Sequence, residues 1–283
     1  MVKHPHLATR IVWRSIGPSN AATGEEMPAV IHTLTNSEAE AEEWRQRCDM
    51  AAVFRICARL DWNEQIGNHN SLMLPPRRGD DTPLFMINPR GCRFEELTAS
   101  GLIVCDLDGK VVRGKGELRK VAFHIHARIH LHNPGATCVL HVHPQYLTAL
   151  SMLEKPEFAL AHFNNLLLND RVVFDNDAER GAHDNEEGDR IARTLGDKTI
   201  MVMGAHGVTV VGPTVAEAFD ELHCAERTMM YQFTAMQTGQ KLRRLPEKSR
   251  HNYRGRWGDR VDARMHLDAW RRILDKEGSD YAT

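Results

Sequence analysis

The chain has 283 residues, 42% hydrophobic and 26% charged, with a formal net charge of −2. That composition belongs to an ordinary globular protein large enough to build its core without disulfide staples, and it excludes a disordered or collagenous chain. Near-neutral charge gives no electrostatic footing for nucleic acid or an anionic membrane, and no run of about eighteen apolar residues reads as a membrane span.

In chain order, residues 1–36 read as an N-terminal arm rich in Pro, Gly, Ser, Thr and Ala. A helix is expected from Asn36 or Ser37, where either side chain can cap and Glu38, Glu40, Glu42 and Glu43 suit the positive end of the helix dipole. Met50, Val53, Phe54, Ile56, Cys57 and Leu60 continue it at helical spacing. Trp62 to Pro76 is a polar, glycine-bearing stretch, followed by the loop PPRRGDDTP. Strands are expected at Leu84–Ile87 and Leu102–Leu107, with Asp108-Gly109 turning the chain into Lys110–Arg113. A second helix spans about Leu118 to His132 and is stopped by Asn133-Pro134-Gly135.

Ala136–His143 is a short β-rich run closed by Pro144, and Tyr146–Leu153 returns to helical spacing. Arg171–Phe174 and Thr199–Met203 are expected strands, with a helix at Asp184–Leu195 between them. Thr214–Gln237 is a long helix. The charged tail Arg254–Thr283 ends in the amphipathic segment His266–Leu274. The result is a mixed α/β chain with helices flanking a largely antiparallel sheet. Residues 37–250 form the main domain and 251–283 a helical tail. The N-terminus lacks the apolar run of a secretory signal, and the six cysteines never approach a C-x-x-C spacing, so a cytoplasmic location with reduced thiols is expected.

Sixteen histidines are many for this length. The sharpest pattern is Cys-Val-Leu-His-Val-His-Pro at 138–144. On a strand, residues i and i+2 share a face, so His141 and His143 project together, about 7 Å apart. Two such imidazoles can take adjacent positions on one metal ion. His206, where an apolar strand breaks into Gly204-Ala205-His206-Gly207, can supply a third. Neutral imidazoles suit Zn, Fe, Ni or Cu better than Mg or Ca. Partly buried, hydrogen-bonded histidines are the competing reading of the same spacing. His126 and His130 lie four apart on one helix face. His124, His130 and His132 otherwise read as surface or interface residues, and His4, His6 and His251 as surface.

Four segments together resemble the class II aldolase/adducin family: NPRGCRFEELTASGLIVCDLDG (88–109), FHIHARIHLHNPGATCVLHVHP (123–144), GAHGVTVVGPTVAEAFDELHCAER (204–227) and AWRRILDKEGSDY (269–281). The resemblance covers roughly residues 44–283. It implies a single three-layer α/β/α domain with a central, mainly antiparallel sheet. It also implies a divalent metal ion (Zn, Fe(II) or Mn) on His141, His143 and His206, and a homo-oligomer, most simply a tetramer, with sites at subunit interfaces. The family's sugar-phosphate aldolases carry Ser-Ser-Glu before the H-x-H strand. Here those positions hold Lys120, Val121 and Ala122, so the acid/base glutamate and the phosphate-gripping serines are missing. The family's phosphate-contacting asparagine in G-N-x-S falls on His69 of Gly67-Asn68-His69-Asn70-Ser71.

These departures resemble the adducin-like branch and point away from a phosphosugar. His69, His126 and His162 become the candidates for proton transfer, and Arg90, Lys120 and Ser71 those for a small, perhaps aromatic, hydroxy- or keto-carboxylate substrate. The expected activity is a metal-dependent C–C lyase, by retro-aldol cleavage or decarboxylation. The alternative is an Fe(II)/O2-dependent oxygenase on the same three histidines, as in family members that act on aromatic acids. A non-enzymatic association module is the third reading, although adducin heads are not expected to retain all three ligands. Tyr231 and Glu226 on the long helix read as packing and ion-pair residues.

Overall fold

A computed structural model describes residues 35–77, 79, 80, 82–177, 182–246, 248, 249 and 261–283. The arm, with His4 and His6, and also His251, therefore lie outside the described residues, apart from Thr35 and Asn36. The helices are α1 (Asn36–Arg59), α2 (Lys120–His132), α3 (Gln145–Ser151), α4 (Phe163–Leu168), α5 (Asn185–Leu195), α6 (Val215–Met236) and α7 (Val261–Lys276). The strands are β1 (His69–Met73), β2 (Leu84–Ile87), β3 (Ile103–Asp106), β4 (Val111–Arg113), β5 (Cys138–Val142), β6 (Val172–Asp175), β7 (Ile200–Met203) and β8 (Val208–Gly212).

The strands form one sheet in the order β4-β3-β2-β1-β5-β8-β7-β6. Every pairing is antiparallel except β6 with β7. Strand alternation sorts the side chains between two layers of helices. Leu72, Met86, Val104, Cys138, Leu140, Val142, Val202 and Val210 pack towards α1, α3, α6 and α7. On the opposite face Val139, Met201 and Val211 meet Ile125 and Ile129 of α2 and Ile191 and Leu195 of α5. Phe85, Ile87 and Ile103 meet Ala122, Phe123 and Ala127 of α2 on that face. This is the three-layer arrangement expected.

Local chemistry sets the element ends. The α1 cap is Thr35, one residue before the expected Asn36 or Ser37, and it forms a reciprocal box with Glu38. Asp184 caps α5 and Thr214 caps α6. Glu226 has a role beyond packing: it accepts from the backbone N–H groups of Tyr146 and Leu147, both at 2.9 Å, and so fixes the start of α3. The C-terminal tail is bound into the same body. Buried Asp49 of α1 accepts from Arg264 and Arg271 of α7, and the Ala99 and Ser100 N–H groups donate to the carbonyls of Tyr281 and Thr283.

Among the strands and α-helices of the described residues, β1 (within the polar stretch), β8 and α4 were not anticipated. All six cysteines are free. No helix among the described residues is long and apolar enough to cross a membrane.

Candidate metal centre

The central strands β1, β5 and β8 position the candidate site. His141 pairs in register with His69 on one side and Thr209 on the other. Alternation puts His69, Ser71, His141 and Thr209 on the face covered by α2. His143 lies just past the end of β5, where its N–H donates to the Trp62 carbonyl at 2.8 Å. His206 sits in the four-residue turn between β7 and β8. Ala205 beside it adopts φ 52°, in the left-handed region that costs a non-glycine residue free energy. Its N–H is tied to the Ser151 carbonyl at 2.8 Å, and the Gly204 N–H to the Asp175 carbonyl at 2.7 Å.

These anchors bring three imidazoles together. One ring nitrogen from each of His141, His143 and His206 lies within 4.8 Å of the other two. The ring centroids of His141 and His143 are 5.3 Å apart, and each is 4.8 Å from that of His206. Burial pulls His141 well below its ordinary pKa and brings His143 down to about 4, with His206 adding to the shift of His143. Neutral imidazole is the form that donates a lone pair to a metal.

Two details fit that use. His143 Nε2 is buried and has no hydrogen-bond partner among the described residues, whereas its Nδ1 is 4.0 Å from the Glu64 carboxylate. His141 Nδ1 is held by Thr209 Oγ1 at 3.2 Å. A hydroxyl partner such as Thr209 orients a metal-binding imidazole and sets its tautomer, whereas the Glu64 carboxylate stands beyond hydrogen-bond reach of His143.

The other candidate residues divide. His69 stacks on His141 with centroids 4.8 Å apart, and its Nδ1 is 2.7 Å from His126 Nε2. Ser71 Oγ bonds His126 Nδ1 and lies 2.7 Å from His130 Nε2. Ser71 is fully buried, so its hydroxyl serves this histidine chain and does not face an open pocket as a substrate contact would. His130 is 3% exposed, which corrects its expected surface position. It is affordable inside because both ring nitrogens are paired, Nδ1 with the Ala136 carbonyl at 2.8 Å. His162 packs on Tyr231, with centroids 5.2 Å apart, and has no contact with the three-histidine cluster among the described residues. Arg90 is exposed and 3.7 Å from Glu117, and Lys120 is exposed at the start of α2.

The cation that does approach the cluster is Arg119, which sequence reasoning passed over. It is half-buried, donates Nη1 to the Ile66 carbonyl at 3.0 Å, and lies near enough to His69 to oppose its protonation. Among the described residues it makes no ion pair. Glu64 and Thr209 were likewise missed. Nothing in the local sequence marks either; only the register β5↔β8 and the fold of the 61–68 loop bring them in.

A family model of the class II aldolase and adducin N-terminal domain matches residues 48–233. The chain belongs to this family. A Caulobacter vibrioides protein provisionally named an aldolase class 2 protein is 31% identical over 255 residues, covering 88% of this chain and 96% of its own. The crystal structure of an aldolase II superfamily protein from Pseudomonas syringae superposes with a TM-score of 0.77 at 28% identity, over 85% of this chain and 96% of that one. An L-fuculose 1-phosphate aldolase from Glaciozyma antarctica shares the fold, with a TM-score of 0.74 at 22% identity, over 90% of this chain and 96% of that one. As a class II aldolase family member, the chain has lyase-type enzymes among its relatives, and the three-histidine cluster is its candidate site for the divalent metal these aldolases use.

Proposed function

We propose that this protein is a divalent-metal-dependent C–C lyase acting on a small α-hydroxy- or α-keto-carboxylate, with His141, His143 and His206 as the metal ligands. The observation that carries the reading is the convergence of three neutral imidazoles, one of which keeps a buried ring nitrogen without a partner among the described residues. When bound, a divalent ion there would supply Lewis acidity to a chelating substrate.

The chain's own residues account for the rest. His69, stacked on His141, takes the place of the absent glutamate as the group that exchanges a proton with substrate. Arg119 offers a guanidinium not already neutralised by a carboxylate among the described residues, and it receives the substrate's carboxylate. Lys120, Val121 and Ala122 stand where phosphosugar aldolases carry Ser-Ser-Glu, which disfavours a sugar phosphate. Assembly into a homo-oligomer, most simply a tetramer, belongs to the same reading. Exposed Phe163 of α4 and Tyr231 and Met236 of α6 provide apolar surface for it, and light scattering at micromolar concentration should exceed the monomer mass.

The test is metal analysis combined with turnover. Protein purified anaerobically should carry about one divalent ion per chain and cleave or decarboxylate an α-hydroxy or α-keto acid without consuming oxygen. His141→Ala, His143→Ala and His206→Ala should each lose the ion. Full metal occupancy in any of the three, or turnover that requires oxygen uptake, would overturn the proposal.

A further inference from the structure

Behind the three-histidine cluster runs a second, buried set of polar groups with no metal-ligand geometry of its own. It begins at the Ala136 carbonyl and passes through His130, Ser71 and His126 to His69. The contacts are Ala136 O to His130 Nδ1 at 2.8 Å, His130 Nε2 to Ser71 Oγ at 2.7 Å, Ser71 Oγ to His126 Nδ1, and His126 Nε2 to His69 Nδ1 at 2.7 Å. His126 and Ser71 are 0% exposed, His130 3% and His69 4%. No carboxylate hydrogen-bonds to any of them among the described residues. Three imidazoles buried without a counter-charge are neutral, so each carries one N–H and one lone pair.

Donor counting then leaves one complete solution. A carbonyl oxygen only accepts, so the His130 proton sits on Nδ1 and its Nε2 must accept. The single proton of the Ser71 hydroxyl goes to that Nε2, and the serine oxygen can only accept from His126. The His126 proton is therefore on Nδ1, its Nε2 accepts, and His69 must carry its proton on Nδ1. The reverse assignment turns the serine proton towards His126 and leaves two lone pairs facing each other between Ser71 and His130, buried from water.

We infer that the Ala136 carbonyl, acting through His130, Ser71 and His126, fixes the tautomer of His69 so that its Nε2 is a bare lone pair beside His141. Nε2 has no hydrogen-bond partner among the described residues. His69 is thereby prepared to accept a hydrogen bond from the hydroxyl of a ligand at the three-histidine cluster. His130, Ser71 and His126 are positioning residues, and His126 does not itself meet the substrate. The use of the lone pair rests on the proposed lyase reading; the tautomer does not.

The experiment is long-range 1H–15N correlation of histidine rings in the full-length, 15N-labelled, zinc-loaded protein near neutral pH, with His69→Gln and His126→Gln used for assignment. His130, His126 and His69 should all show Nδ1–H with an unprotonated Nε2. In Ser71→Ala, His130 should remain Nδ1–H because its carbonyl partner is intact, whereas His126 and His69 should become tautomer mixtures. A wild-type His69 protonated on Nε2 would overturn the inference, and so would a Ser71→Ala variant that keeps His69 purely Nδ1–H. The wild-type spectrum decides the matter even if Ser71→Ala fails to fold. Absence of lyase turnover would sink the proposed function while leaving this result unchanged.

Discussion

Gly207 leaves vacant the space that the His143 imidazole occupies: a Cβ built on Gly207 would lie 2.3 Å from His143 Cδ2 and 3.0 Å from its Nε2. The same Cβ would meet the Val142 carbonyl at 2.8 Å, so neither backbone nor ring can yield easily. Gly207→Ala should therefore turn the His143 ring away from His141 and His206. The expected result is a metal dissociation constant raised at least tenfold, equivalent to about 1.4 kcal/mol, in a protein that still folds. Competitive titration with a metal chelator would measure it. Unchanged affinity would mean that His143 does not contribute in the orientation described.

His130 makes stability depend on pH in a definite direction. Burial holds it neutral down to about 4, against an ordinary value of 6.5. Between those values the unfolded chain binds a proton that the native chain refuses. Stability therefore rises with pH across this window and falls as pH drops from 6.5 towards 4. The difference amounts to roughly 3 kcal/mol if the site retains its native burial. His223, also lowered to about 4 by burial, adds a loss of the same sign. Urea unfolding of the metal-free protein at pH 7 and pH 4.5 should show the loss, and His130→Gln should flatten the slope while lowering stability at pH 7. Parallel slopes for the two proteins would refute the assignment.

How much of this was visible in the sequence depends on where each interaction is closed. The pair His141 and His143 is legible because a strand repeats every two residues, and His206 because a glycine turn ends an apolar run. β1 was hidden because His-Asn-Ser breaks the apolar alternation. These polar residues are buried only because their partners, His126, His130 and His141, come from α2 and β5. His130 looked like a surface residue for the same reason. Arg119 and Glu64 are placed by contacts that local spacing does not encode, such as Arg119 reaching the Ile66 carbonyl. The long helix α6 needed no such help, because Phe219, Leu222, Ala225 and Met229 recur at helical spacing and are all buried.

The contact of α2 with α5 is set by a second glycine. A Cβ on Gly188 would lie 2.2 Å from the His124 carbonyl oxygen and 2.6 Å from Arg128 Cγ. In an open helix, glycine to alanine gains up to about 1 kcal/mol. Here overpacking against backbone costs roughly 1–3 kcal/mol, so the steric term wins. Gly188→Ala should lower the thermal midpoint by several degrees for a domain of this size. Calorimetry that shows a raised midpoint would mean the two helices can separate without cost.

The carboxylate of the proposed substrate provides the last test, because three cations are candidates to receive it. Arg90 is exposed beside Glu117, and Lys120 is exposed on α2, so both are already solvated. Arg119 is half-buried beside His69 and retains donors beyond the one spent on Ile66. A charge-assisted hydrogen bond from such a group contributes roughly 1.5–3 kcal/mol. Arg119→Met should thus weaken an α-keto or α-hydroxy carboxylate by about ten- to a hundredfold and leave metal content unchanged. Arg90→Ala and Lys120→Ala should move affinity less than threefold, within about 0.6 kcal/mol. The measurement is displacement of a metal-centred absorption signal in cobalt-substituted protein by a series of acids, with fuculose and ribulose phosphates as competitors. If the phosphates are turned over while the acids neither react nor perturb the signal, the carboxylate assignment fails. If the acids bind as tightly to Arg119→Met as to the unmodified protein, the anion is held elsewhere.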